Sequence, residues 1–80
     1  MLDPQLIKTW IAAGLPCQHL DIAGDGRHFE ALIVSDEFAG MSRVARQQRV
    51  NALLREHFDS GDLHALTMQT LTPEEWQARG

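Results

Sequence analysis

Apolar positions recur at helical spacing in some stretches and alternate with polar positions in others, and the switches between the two mark the elements. Asp3-Pro4 opens a helix with a cap followed by proline, and Leu6, Ile7, Trp10 and Ile11 give it one apolar face. Gly14, then Pro16, ends it. From Cys17 to Ala23, Leu20 and Ile22 alternate with His19 and Asp21, the pattern of a half-buried strand. Gly24-Asp25-Gly26 is hairpin punctuation, and His28 to Ser35 returns as a second strand, dense with Ala31-Leu32-Ile33-Val34. Asp36 to Gly40 reads as a turn or a single helical turn carrying Phe38. Ser42 caps a long helix running to about Phe58, with Val50, Leu53, Leu54 and Phe58 on its apolar side. Asp59-Ser60-Gly61-Asp62 is a polar loop, after which Leu66 and Met68 point one way and Ala65, Thr67 and Gln69 the other, a third strand. Thr72-Pro73-Glu74-Glu75-Trp76 then starts a short helix, with Thr72 as cap, Pro73 at the first helical position and Glu75 placed to close a capping box.

The element order is therefore helix, strand, strand, helix, strand, helix, in a single domain over residues 1–80. It predicts an α+β fold: a three-stranded mixed sheet packed by helices, with Trp10, Ile11, Leu32, Val34, Val50, Leu54 and Met68 in the core. The first two strands form an antiparallel hairpin. A helical crossover separates the second from the third and permits parallel pairing with the usual right-handed connection. A crossover helix of about 16 residues spans roughly 24 Å, close to the roughly 23 Å of a seven-residue strand, so one can lie back along the other.

Parallel neighbours start at the same edge of a sheet. His28 begins the second strand and His64 the third, so the two histidines are expected at one edge, roughly 5 Å apart backbone to backbone. The end of the long helix, with His57, returns to the same edge. Neutral imidazole is a common metal ligand, and two of them make half a metal site. No carboxylate or cysteine pattern completes a four-ligand set, which points to ligands from a partner. The alternative is that His28 is a surface turn residue and His64 a strand-end residue bonded to backbone.

Composition narrows the remaining classes. A hydrophobic share of 44% and a charged share of 22% are ordinary for a globular chain. No run approaches the roughly 20 apolar residues of a membrane span, and the N-terminus lacks a signal-peptide layout, so no membrane association is expected. The single cysteine, Cys17, cannot form an internal disulfide, and a reducing, cytoplasmic setting fits. Nothing places Cys17 beside a histidine, no serine sits on a strand-to-helix elbow, and no Gly-rich phosphate loop opens a helix; an enzyme is not expected. A second candidate site is basic. Arg43, Arg46 and Arg49 recur three apart near the start of the long helix and flank its apolar stripe. They form either a nucleic-acid-binding face or a solvated face paired with Asp36, Glu37 or Glu56. The net charge of −4 opposes non-specific nucleic-acid binding without excluding a local basic patch.

Three segments in order, Gly24-Asp25-Gly26-Arg27-His28-Phe29, then Phe38-Ala39-Gly40-Met41-Ser42-Arg43-Val44-Ala45-Arg46-Gln47-Gln48, then Leu63-His64-Ala65-Leu66 through Trp76, resemble the BolA family and, in the form of the hairpin, its short bacterial IbaG-type branch. The resemblance covers nearly the whole chain, from Leu6 to Trp76. It implies a fold similar to the type II KH domain and a monomer when alone. It also implies pairing with a monothiol glutaredoxin and a [2Fe-2S] cluster shared with it. His64 then corresponds to the family's invariant histidine and His28 to its second ligand, with the glutaredoxin cysteine and a glutathione thiol holding the other iron. Two imidazoles on one iron, as in Rieske centres, raise the reduction potential relative to thiolate ligation. No cofactor is expected on the chain alone, and Cys17 matches no ligand position. The resemblance also implies a second function, transcriptional regulation of stress response and cell shape through DNA. KH domains clamp the nucleic-acid backbone with a GXXG loop, and this chain has Gly40 but Arg43 where the second glycine would stand.

Overall fold

In a computed structural model, residues 2–79 are described. Helix α1 spans Pro4–Gly14, with Asp3 Oδ1 accepting the Gln5 amide at 2.9 Å as its cap. Ile7 and Ile11 are fully buried, and Leu15 continues their row just beyond the helix. Trp10 packs half-buried on the flank of that row, while Leu6, expected on the apolar face, is 48% exposed. The helical row i, i+4, i+8 thus runs through Ile7 and turns Leu6 outward. A Cβ on Gly14 would collide with the Leu53 side chain, so the bare glycine lets α1 approach the next long helix closely.

Strand β1 (His19–Gly24) pairs antiparallel with β2 (His28–Val34), and β2 pairs parallel with β3 (Ala65–Leu71), in the order β1-β2-β3. Leu20 in β1, with Phe29, Ala31 and Ile33 in β2, faces the helices and is buried. Met68 packs half-buried against this cluster. Leu32 departs from expectation: it points to the other face, where it shares a groove with Gln69 and Trp76. An unbroken apolar run such as Ala31–Val34 hides its alternation, because apolar cover waits on both faces of the sheet. After β2, Ser35 caps a 3-10 turn at Asp36–Phe38, donating to Pro16 O at 2.6 Å, and Phe38 goes fully into the core. Burying a side chain such as Phe29 or Phe38 contributes about 1.5–3 kcal/mol each.

The expected long helix is two. Helix α2 spans Arg43–Leu53 and α3 spans Arg55–Ser60, separated at Leu54, whose φ and ψ are −106° and 6°. The Leu54 amide closes back on Asn51 O at 3.2 Å, a tightened last turn. Leu54 stays fully buried at the break, and Phe58 packs half-buried against the core. No proline or glycine marks the break. Gly61, at φ 85°, then ends α3 in the left-handed conformation.

Helix α4 (Pro73–Arg79) begins as expected, with the Thr72 amide donating to Glu75 Oε1 at 2.8 Å and the Glu75 amide to Thr72 Oγ1 at 3.2 Å. It runs over the outer face of the sheet, where Arg79 donates to Gln69 Oε1 at 3.0 Å. Of the expected core, Ile11, Val34, Val50 and Leu54 are fully buried.

Candidate functional site

The hairpin turn places His28. Asp25 Oδ1 accepts the amides of Arg27 at 3.0 Å and His28 at 2.9 Å, and Gly26 takes φ 100°. These amides, His28 first, hold the Asp25 carboxyl below its ordinary range. His28 then opens β2 with its side chain exposed, Nε2 lying 3.4 Å from Thr67 Oγ1. In the parallel ladder His28 stands opposite Ala65, so His64 lies one residue before the β3 partner of His28. Leu63, 1% exposed, anchors the chain in the core immediately before the exposed His64. The two histidines therefore share one edge of the sheet on adjacent strands.

The other candidates lie elsewhere or are already engaged. His57, expected near that edge, has its ring stacked on Trp10, with centroids 3.5 Å apart and planes 8° apart. His19 stacks on Trp76 at 4.4 Å and pairs through Nε2 with Asp21 Oδ2 at 2.6 Å. That arrangement was not readable in the sequence, since the strand pattern says only that His19 faces away from the core. β1 begins opposite Val34, so Cys17 sits at the far end of the sheet from His28. Its Sγ donates to Leu15 O at 3.3 Å, and burial, then the Glu37 carboxylate, pushes the thiol up, away from a reactive thiolate. Among the described residues, no group of three or more His, Cys, Asp and Glu side chains gathers to hold a metal ion.

At the opposite end of the parallel pair stand the arginines, which the structure separates by role. Arg46 is inserted, its side chain 11% exposed. It donates to Met41 O at 3.1 Å, Thr70 O at 2.9 Å and Glu75 Oε1 at 2.7 Å, and its guanidinium lies 5.8 Å over the Phe38 ring. The Arg46 guanidinium first, then the Thr72 amide, draws Glu75 down to about 2. Arg49 is ion-paired with Glu37, one of the acids expected to neutralise this face. Arg46 pairs instead with Glu75 of α4, not with any of the acids expected for this face. Arg43 is exposed and borders a cleft with Thr70, Glu75 and Arg79. Three arginines on one side of a helix thus leave one clearly presented to solvent.

The family model for BolA-like protein matches residues 11–75, a span that contains both edge histidines and all three arginines. This chain belongs to the BolA family. The acid stress protein IbaG of Escherichia coli is 37% identical over 70 residues, covering 88% of this chain and 83% of that protein. The DNA-binding transcriptional regulator BolA of Haemophilus influenzae is 39% identical over 61 residues, covering 76% of this chain and 58% of its own. The solved structure of a BolA homologue from Coxiella burnetii superposes with a TM-score of 0.86 at 37% identity, covering 96% of this chain and 99% of that one. The BolA fold thus extends over essentially the whole described chain, including the strand pairing that sets the histidine edge.

Proposed function

We propose that this BolA-family chain is an adaptor with no turnover of its own, sharing a [2Fe-2S] cluster with a monothiol glutaredoxin in the cytoplasm, in cluster trafficking or iron and redox sensing. The observation that carries the reading is the parallel register: β2 begins at His28, β3 begins just after His64, and both side chains are exposed at that edge. Two imidazoles would fill the two terminal positions of one iron of such a cluster, and a partner bringing a cysteine and glutathione would hold the other iron. Acid competes with such ligation, because imidazole binds a metal only when neutral. Native mass spectrometry of the chain mixed with cluster-loaded glutaredoxin tests the reading. One chain, one glutaredoxin and one cluster in a single species is the expected result, absent for His64→Ala; a species of the same composition formed equally well by His64→Ala would refute it.

A second reading, DNA binding of a regulatory kind, draws on the name of the Haemophilus relative and on the exposed Arg43. The pairing of Arg49 with Glu37 and the insertion of Arg46 weigh against a three-arginine face. Reversing Arg43 and Arg49 to glutamate should abolish DNA binding under this reading, with the salt slope falling by about one unit for each phosphate that is no longer neutralised. Cluster sharing should survive the change. Unchanged DNA affinity and slope would dispose of the arginine face.

A further inference from the structure

His57 returns to the histidine edge as expected, and although its ring is engaged with Trp10, its backbone leads to His64. Its ring lies flat on Trp10 of α1. Its carbonyl accepts the Leu63 amide at 3.0 Å and the Ser60 hydroxyl at 3.2 Å. The Ser60 oxygen in turn accepts the Asp62 amide at 3.3 Å. Leu63 is buried, and the next residue is His64. The segment from α3 to β3 is therefore tied at both ends to groups fixed by α3.

Helix α3 itself has little to hold it locally. It is 6 residues long and starts without a side-chain cap hydrogen bond. A helix that short is unstable alone, so its position must come from tertiary contact. Buried Leu54 and half-buried Phe58 hold it on the core side, and the stack of His57 on Trp10 holds it against α1. We infer that Trp10 and His57 are positioning residues for His64. The indole fixes α3 against α1, and the His57 carbonyl then fixes the Leu63 amide and with it the point where His64 leaves the core. The inference rests on the reading of His64 as a cluster ligand and adds two residues outside the ligand pair.

The test compares Trp10→Leu, Trp10→Phe and Ile7→Val, the last a core change on the same helix away from the stack. Amide hydrogen exchange at Leu63 is followed in the metal-free protein, at denaturant concentrations that match global stability. Visible circular dichroism is followed after mixing with cluster-loaded monothiol glutaredoxin. Trp10→Leu should speed exchange at Leu63 about tenfold beyond Ile7→Val and lower the dichroism of the mixed complex. Trp10→Phe, which keeps an aromatic face, should restore both. His57→Leu removes the stack from the α3 side and should match Trp10→Leu; it decides the matter if Trp10→Leu does not fold. Equal Leu63 exchange in the stack variants and Ile7→Val, or no rescue by phenylalanine, overturns the inference. His64→Ala run alongside separates the two ideas, because unchanged dichroism there rejects the ligand reading while exchange at Leu63 still judges the positioning.

Discussion

At the C-terminal end of the parallel pair, Arg46 donates to two carbonyls and to Glu75, and Glu75 closes the capping box of α4. At the N-terminal end, His28 and His64 stand exposed, with a long contact from His28 to Thr67. Both ends are rich in side chains that bind ligands in other settings. One end has turned them inward to join α2, β3 and α4; the other presents them to solvent where two paired strands begin. A residue type suited to recognition says little until its hydrogen-bonding capacity is counted, and at the arginine end that capacity is largely taken up by the fold.

The sharpest way to break this comparison is Arg46→Ala. It orphans the carbonyls of Met41 and Thr70, which should cost about 2–3 kcal/mol of stability in urea unfolding. Cluster sharing by the folded fraction should be unchanged. Abolished sharing with unchanged stability would mean that the two ends do not divide the work in this way.

Gly24→Ala probes the histidine end with a somewhat smaller effect. A Cβ there would meet the ring of buried Phe29 and lie 2.6 Å from His28 O and 2.9 Å from Phe29 Cα, so backbone as well as a core side chain must shift. The expected cost is about 1–3 kcal/mol, read as a lowered Tm, together with a weakened histidine-ligated spectrum as His28 moves. An intact spectrum would show that the hairpin does not set the place of His28.

Acid gives the smallest and most specific effect. Glu75 is held at about 2, below its ordinary 4.5, so its bonds to Arg46 and Thr72 stabilise the fold above pH 4.5 and that contribution is lost as pH falls through about 2. Glu75→Gln should therefore be less stable than the parent near neutrality, and the gap in urea midpoint should close across this window and shrink with added salt. A gap that stays constant down to pH 2 would remove the ion pair from the description of this end.

Much of the frame is local chemistry and could be read directly. Asp3-Pro4 and Thr72-Pro73 with Glu75 carry their helix starts within a few residues, and Gly24-Asp25-Gly26 carries its hairpin. Parallel pairing followed from the crossover, and the shared histidine edge from the pairing. What escaped depends on residues distant in sequence. The break at Leu54 has no breaker residue and falls at a fully buried side chain. The face chosen by Leu32 depends on α4 supplying cover. Arg46 meeting Glu75, Trp10 meeting His57 and Trp76 meeting His19 are tertiary pairings that no periodicity encodes.

The edge itself is tested most directly by the double variant His28→Ala/His64→Ala, mixed with cluster-bearing monothiol glutaredoxin and read by visible circular dichroism with a parallel affinity titration. The expected spectrum is that of the glutaredoxin homodimer, with weakened association of the two proteins. An unaltered mixed-complex spectrum and unaltered affinity would show that iron is held without these two histidines.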